Sequence, residues 1–190
     1  MRWNLPIALT WLRILAIPLL VAVYLLPFGD ASLPVRNLVA TVVFVAAAIT
    51  DWVDGWLARR LGLVSAFGAF LDPVADKLLV CAALVLLLDL QRVDALVAVI
   101  IVGREIAISA LREWMAGMGA RRSVAVHSIG KLKTVAQLVA IPMLLYHQPL
   151  FGVVPVQRIG TWLIWVAALL TLWSMFYYLR QAWPLLRDAS

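Results

Sequence analysis

The chain contains few of the residues that stabilise a soluble or secreted protein. Its 190 residues include one cysteine, two histidines, 10 acidic residues and 16 basic residues. A single cysteine excludes an intramolecular disulfide framework, and we expect Cys81 to be a small buried apolar residue because it lies in an uncharged run. A chain with 14% charged residues cannot cover a water-soluble core with a polar shell.

Apolar residues make up most of the chain instead. Hydrophobic residues account for 65% of the sequence, and the mean hydropathy is +0.99. These values predict a membrane protein, and we expect residues 1–190 to form a single membrane domain. The net charge of +6 does not point to a nucleic-acid partner, because basic residues of membrane proteins mostly mark the cytoplasmic face and contact anionic headgroups.

Six hydrophobic runs predict six transmembrane helices. They cover residues 14–28, 35–58, 72–90, 95–115, 124–146 and 159–179, and a short N-terminal interfacial helix precedes them. The predicted fold is an all-α integral membrane protein, a six-transmembrane-helix bundle. We expect Asp72 and Pro73 to open or kink the third helix, because proline is tolerated in a first turn and disfavours helix in the residue before it.

Six spans return the chain to the side of the membrane on which it starts. Every lysine and arginine except Arg36, Arg92 and Arg158 is predicted to lie on that side. The positive-inside rule assigns this side to the cytoplasm. The sequence therefore predicts that both termini face the cytoplasm, together with the acidic residues at the end of the second span.

Four aspartates interrupt the apolar sequence within a short stretch. They are Asp51, Asp54, Asp72 and Asp76. The first two lie three residues apart on one predicted helix and the last two lie four residues apart on the next, so each pair shares a helix face. Converging carboxylates repel one another and are costly to desolvate, so we expect a strongly cationic partner among them.

A divalent metal is the simplest partner of this kind. Carboxylate oxygens without histidine or thiolate favour Mg²⁺, Mn²⁺ or Ca²⁺ over zinc or copper. Mg²⁺ also takes ligands from substrate phosphates, and Arg59 is placed to hold such a phosphate. Gly55 and Gly68 allow a ligand to approach the backbone closely. The alternative is that the aspartates cap helices or pair with Arg59, Arg60 and Lys77.

A second polar group lies on the fourth predicted span and at the start of the fifth. Glu105, Ser109 and Arg112 recur at i, i+4 and i+7, which places them on one helix face. The basic residues around them are Arg104, Arg121, Arg122, Lys131 and Lys133. A basic pocket beside a metal and diphosphate site suits a second, anionic substrate. The alternative is a set of positive-inside loops together with a pair between Glu105 and Arg112.

The spacing of the acidic stretch resembles the signature of the CDP-alcohol phosphotransferases. The pattern D-x2-D-G-x2-A-R-x8-G-x3-D-x3-D runs from Asp51 to Asp76 without a departure. The resemblance implies two metal ions, usually Mg²⁺ with Mn²⁺ as an alternative, bound by the four aspartates named above. It also implies that the metals bind the diphosphate of a CDP-linked donor and that Asp76 acts as the general base.

Three further segments resemble bacterial phosphatidylglycerophosphate synthases, a branch of that family. They are NLPIALTWLR at residues 4–13, REIAISALREW at residues 104–114 and SIGKLKTVAQ at residues 128–137. The resemblance implies transfer of a phosphatidyl group from CDP-diacylglycerol to sn-glycerol 3-phosphate, by a homodimer in the bacterial inner membrane. The implied CDP-diacylglycerol contacts are Asn4, Thr10, Gly55, Arg59, Ser65 and Gly68. The implied glycerol 3-phosphate contacts are Arg104, Arg112, Lys131 and Lys133.

Three alternatives stay open at this point. Arg13 is either a positive-inside anchor or a contact to the headgroup or nucleotide of the donor. Another acceptor, such as inositol phosphate, serine or an amino alcohol, would use the same acidic motif, although serine carries no phosphate and does not require Arg112, Lys131 and Lys133 together. A cation transporter also carries buried acids, but it needs carboxylates near the middle of the membrane and often an internal repeat, and neither is evident.

Overall fold

A computed structural model of the protein describes residues 5–26, 32–61, 66–117 and 128–188. Six α-helices make up most of these residues, and the β-structure within them is an isolated bridge between Leu150 and Val154. The helices are α1 (Leu5–Leu25), α2 (Leu33–Leu61), α3 (Ala66–Asp89), α4 (Ala95–Gly117), α5 (Ser128–Tyr146) and α6 (Val156–Asp188). The predicted all-α class is confirmed.

Two helix starts differ from the predictions. α1 is one continuous helix from Leu5, so a separate interfacial helix is not confirmed within residues 5–26. α3 already begins at Ala66, so Asp72 and Pro73 do not open it, and Pro73 lies inside the helix. A proline within a helix removes one backbone hydrogen bond, which the neighbouring helices of a bundle can compensate.

An apolar core holds the helices together. α1 packs against α2 and α3, α4 packs mainly against α6, and α5 packs against α2 and α6. Fully buried members of the core come from all six helices, for example Leu20, Phe44, Leu84, Ile101, Leu144 and Ile164. Since these residues are far apart in sequence, burial of their side chains brings together helices that carry different parts of the candidate site.

Three helices are long and apolar enough to cross a membrane. The qualifying segments are Ala8–Leu25 in α1, Leu33–Asp51 in α2 and Val156–Trp183 in α6, and α5 contains a shorter apolar segment, Leu132–Tyr146. α3 and α4 do not qualify, because every 18-residue stretch of either helix contains more than two charged residues. These charged residues include the predicted site residues of both helices, so the composition of α3 and α4 differs because of the site.

The surface of the bundle carries large apolar side chains. Leu15, Val99 and Phe176 are 64%, 68% and 69% exposed, respectively. Exposed apolar patches of this extent are unusual in soluble monomeric proteins and are typical of surfaces that face lipid or another protein. The surface therefore agrees with the hydropathy of the chain.

A buried arginine connects four elements at the end of the bundle opposite to the candidate site. Arg92, in the turn between α3 and α4, donates hydrogen bonds to the carbonyl oxygens of Leu144 (3.2 Å) and Leu145 (2.8 Å). It also donates to Asn37 Oδ1 (2.9 Å), and its guanidinium lies 5.9 Å from the ring centroid of Tyr24. We refer to these contacts as the Arg92 cluster; they join α1, α2, α5 and the α3–α4 turn.

His147 follows the last residue of α5, near the same arginine. Burial lowers the pKa of His147, and the positive charge of Arg92 lowers it further. Both effects act against a second positive charge beside Arg92.

Candidate active site

Arg13 connects acidic residues of two other helices. Its side chain is fully buried on α1, and Nη1 lies 2.7 Å from Asp76 Oδ1 on α3 and 3.0 Å from Asp51 Oδ1 on α2. The two aspartate side chains are 43% and 42% exposed. A buried guanidinium requires opposite charge, and two carboxylates that repel each other require positive charge between them. The arrangement therefore satisfies both requirements and brings Asp51 and Asp76 together.

Thr10, which lies on the same helix as Arg13, contacts a third aspartate. Its hydroxyl donates a hydrogen bond of 2.6 Å to Asp72 Oδ1. Thr10 and Arg13 lie one turn apart on α1, and their partners Asp72 and Asp76 lie one turn apart on α3. Because both contacts follow the same order along the two helices, α1 and α3 run in the same direction and hold three of the four predicted acids at one site.

Six predicted donor-site residues lie outside the contacts of Thr10 and Arg13. Asn4 and Ser65 lie outside the described residues, and Asp54, Gly55 and Arg59 lie on α2 with side chains outside the described part. Gly68 lies in the first turn of α3. The predictions for these residues stay predictions.

The acidic site presents oxygen ligands. The carboxylates of Asp51, Asp72 and Asp76 and the hydroxyl of Thr10 form this donor set, which suits a hard divalent cation such as Mg²⁺. Among the side chains that the structure describes, no three carboxylate, imidazole or thiolate groups lie close enough together to hold an ion, and Arg13 bridges two of the acids. The type of donor atom suits the predicted metal, but the described side chains do not form a metal-binding group, and the metal stays a prediction.

A basic cluster lies on α4 and α5. Lys133 is buried, and its Nζ donates to Glu105 Oε1, while Arg104 Nη1 donates to the same oxygen at 3.1 Å. Arg104 Nη2 also donates to Ser174 Oγ on α6 at 3.3 Å. The alternative interpretation paired Glu105 with Arg112, whereas the structure pairs Glu105 with Lys133 and Arg104.

Arg112 completes the cluster through a tyrosine of α6. Arg112 Nη2 donates to Tyr178 Oη at 3.2 Å, and its guanidinium carbon lies 5.3 Å from the ring centroid. The guanidinium carbon of Arg104 lies 5.8 Å from the same centroid. Three of the four predicted acceptor residues, Arg104, Arg112 and Lys133, therefore meet around Glu105 and Tyr178, and the side chain of Lys131 lies outside the described part.

A short chain of contacts joins the acidic site to the basic cluster. Lys77 follows Asp76 on α3, and its Nζ donates to Ser109 Oγ on α4 at 2.6 Å. Ser109 in turn donates to the backbone carbonyl of Glu105. The two halves predicted from the sequence are therefore adjacent in the fold.

Sequence reasoning does not identify three residues of this arrangement as site residues. Lys77 has a usable signal, because it follows Asp76 directly at the start of an apolar run. Ser174 and Tyr178 lie four residues apart on α6 and share one face, but a serine and a tyrosine in an apolar helix have no distinctive spacing. Their roles depend on packing between α4 and α6.

An apolar helical bundle with acidic side chains next to basic ones suits an enzyme that handles phosphate groups at a membrane. The chain belongs to the CDP-alcohol phosphatidyltransferase family, whose model matches residues 3–173. Membership of this enzyme family confirms the resemblance of the acidic motif and argues against the cation-transporter alternative.

Several curated bacterial relatives match nearly the whole chain. A CDP-diacylglycerol–glycerol-3-phosphate 3-phosphatidyltransferase from Salmonella choleraesuis (strain SC-B67) is 50% identical over 184 residues, which are 96% of this chain and 96% of the relative. The proteins of the same name from Salmonella typhimurium and Pectobacterium atrosepticum are 49% and 47% identical over the same shares. The chain is thus similar to one particular branch of the family.

Proposed function

We propose that the protein transfers the phosphatidyl group of CDP-diacylglycerol to sn-glycerol 3-phosphate, with phosphatidylglycerophosphate and CMP as products. The observation that carries this proposal is the hydrogen bond from Lys77, which follows Asp76 on α3, to Ser109, which lies one turn after Glu105 on α4. This bond supports an acidic donor half next to a cationic acceptor half. The names of the curated relatives support the same donor and acceptor.

The acidic half is the proposed donor site. Asp51, Asp54, Asp72 and Asp76 would hold two Mg²⁺ ions, with Mn²⁺ as an alternative. When bound, the metal would neutralise charge on the diphosphate oxygens and on the leaving CMP. Thr10 and Arg13 orient the carboxylates of Asp72 and Asp76, and the nucleotide end is assigned to Asn4, Gly55, Arg59, Ser65 and Gly68 as predictions from the family resemblance.

Asp76 is the proposed general base. It would accept the proton of the C1 hydroxyl of glycerol 3-phosphate, whose oxygen forms a bond to the β-phosphorus of the donor. The bond between this phosphorus and the bridging oxygen breaks, and that oxygen leaves with CMP. Arg13 already donates to Asp76 Oδ1, which holds the carboxylate in one orientation.

The basic half is the proposed acceptor site. Arg104, Arg112 and Lys133 supply three positive charges, and Glu105 is the carboxylate that pairs with two of them. A phosphate monoester carries about −1.5 to −2 charges at neutral pH. This charge matches the positive charge of the cluster that remains after Glu105 has neutralised part of it. Buried Arg104 Nε and Gln137 Nε2 lack hydrogen-bond partners within the described residues, so donors are available to a polar ligand.

The proposed setting is the bacterial cytoplasmic membrane. All six helices would span it, with the active site and both termini on the cytoplasmic side. The apolar segments of α1, α2 and α6 support this arrangement directly, and the pairing of charges on α3 and α4 offers a way for those helices to enter lipid. A homodimer stays a prediction from the family resemblance.

An acceptor screen tests the proposed reaction. Purified protein is incubated with CDP-diacylglycerol, Mg²⁺ and one radiolabelled acceptor, either glycerol 3-phosphate, inositol phosphate or serine, and lipid-soluble label and released CMP are measured. We expect both products with glycerol 3-phosphate and neither with serine. Preferential labelling by inositol phosphate would reassign the acceptor, and lack of CMP release with every acceptor would contradict the transferase assignment for this chain.

A further inference from the structure

We infer that Tyr178 is a positioning residue whose ring holds the guanidinium groups of Arg104 and Arg112 for the acceptor phosphate. The inference rests on the proposed function, because it assigns a role within the proposed acceptor site. Tyr178 is 2% exposed on α6 and lies beyond residues 3–173, the part of the chain that the family model matches.

The two arginines use the same aromatic ring. Their guanidinium carbons lie 5.3 Å and 5.8 Å from its centroid, within the distance at which a cation interacts with an aromatic face. Arg112 Nη2 also donates to the Tyr178 hydroxyl, and Arg104 Nη2 donates to Ser174, one turn earlier on α6. α6 therefore fixes the position of both guanidinium groups from one face.

An aromatic ring is suited to this task because it attracts cations without neutralising them. Two guanidinium groups at one site repel each other, and a carboxylate between them would remove the charge that an anionic ligand needs. The ring quadrupole offsets part of the repulsion while both groups keep their full positive charge. Tyr178 and Glu105 thus have different effects on the cluster, since Glu105 neutralises charge.

The Arg92 cluster provides an internal comparison. Arg92 also lies over a tyrosine ring, that of Tyr24, but its donors are directed at two backbone carbonyls and Asn37. Arg104 instead keeps its Nε buried without a hydrogen-bond partner within the described residues. A buried donor of this kind points to a ligand, so the ring at Tyr178 serves a binding site and the ring at Tyr24 serves packing.

Paired substitutions test the inference. Tyr178→Leu removes the ring and Tyr178→Phe removes only the hydroxyl. We expect Tyr178→Leu to raise the KM for glycerol 3-phosphate about tenfold or more, with little change in the KM for CDP-diacylglycerol. Tyr178→Phe should restore most of the acceptor affinity. Tyr24→Leu is the matched control, because it removes the same type of contact at the other end of the bundle and should leave the acceptor KM unchanged.

Ring fluorination tests the same contact without altering the shape of the side chain. Phenylalanine analogues with increasing numbers of ring fluorines at position 178 weaken the negative face of the ring stepwise, and folding is retained even if Tyr178→Leu does not fold. We expect the acceptor KM to rise with each added fluorine. A constant acceptor KM across this series, or equal effects of Tyr178→Phe and Tyr178→Leu, overturns the role of the ring.

The wild-type protein separates this inference from the proposed function. If wild-type protein does not use glycerol 3-phosphate, the proposed function fails before any variant is compared. If wild-type protein uses it and the ring variants keep the wild-type acceptor KM, the proposed function stands and the role of Tyr178 is wrong.

Discussion

Arg13 is the one charged residue of α1, and its side chain is completely buried. Its sequence context left two interpretations open, an anchor at the cytoplasmic face or a contact to the donor. The structure adds a third role, since Arg13 bridges Asp51 and Asp76. Such a contact between residues far apart in the chain cannot be predicted from spacing, because it depends on α1 and α3 running side by side.

Removal of Arg13 should make protein stability depend on divalent metal. In Arg13→Met, Asp51 and Asp76 lose a shared positive charge, and we expect a loss of about 1–3 kcal/mol in the absence of metal. This is less than for a fully buried pair, because both aspartates are more than 40% exposed. Thermal unfolding in detergent, with and without Mg²⁺, measures the effect.

Mg²⁺ should raise the melting temperature of Arg13→Met more than that of the wild-type protein, because the ion supplies the charge that the arginine supplied. Arg180→Met, at an exposed position of α6, is the control for the loss of one cation. An equal response of both variants to Mg²⁺ would contradict the bridging role of Arg13.

Substitution of Asp72 should change the Mg²⁺ requirement, whereas substitution of Asp76 should change kcat. Asp72→Asn weakens a metal ligand, so we expect the Mg²⁺ concentration for half-maximal activity to rise about tenfold or more. Asp76→Asn removes the base, so we expect kcat to fall at least about a hundredfold while CDP-diacylglycerol binding persists. Metal titrations of activity and equilibrium binding of the donor distinguish the two. Near-normal turnover of Asp76→Asn would remove its assignment as the base.

The sequence predicts the existence of the helices more accurately than it predicts where each helix begins and ends. Long apolar runs predict α1, α2 and α6, because side chains that favour lipid or a core make up most of these segments. The start of α3 is predicted at Asp72 because Pro73 is a common helix-starting residue, but the helix continues back to Ala66. Packing of α3 against α1 stabilises the helix through the proline, and local rules do not include that packing.

The Arg92 cluster should stabilise the fold without a role in the reaction. Arg92→Met leaves two helix-terminal carbonyls without their donor and removes one of two hydrogen bonds to Asn37 Oδ1, so we expect a loss of about 1–3 kcal/mol in the free energy of unfolding. Unfolding in detergent measures the change, and the acceptor KM of the folded variant should equal that of the wild-type protein. Arg158→Met, an exposed arginine at the start of α6, should be neutral.

Equal stability of Arg92→Met and Arg158→Met would contradict this structural role. A changed acceptor KM in Arg92→Met would show that the two ends of the bundle are coupled. Arg92 was predicted to lie in an outer turn, and the turn is confirmed between α3 and α4. Its burial was not predicted, because the partners of Arg92 come from three other elements.

The whole chain should have both ends on the cytoplasmic side. The six proposed spans would return the chain to its starting side, and the basic residues near the termini favour the cytoplasm. Reporter fusions at Met1 and Ser190 should both give cytoplasmic signals, and a tag inserted after Gln91 in the α3–α4 turn should report the opposite side. Signals from opposite sides for the two ends would remove one span and contradict the proposed arrangement.

α3 and α4 carry more charged residues in each 18-residue stretch than the apolar segments of α1, α2 and α6 do. These charges also affect insertion of the protein into the membrane. A charged residue at the centre of an inserting helix costs about 2.5–3.5 kcal/mol, so neither helix is expected to insert efficiently alone. The contact between Lys77 and Ser109, and those of Thr10 and Arg13 with α3, reduce this cost when the helices enter together. α3 and α4 expressed without α1 should therefore insert poorly, which a protease-protection assay measures. We therefore expect insertion of α3 and α4 to depend on assembly of the active site, so a variant that cannot form the site should also lose its topology and be degraded faster in cells.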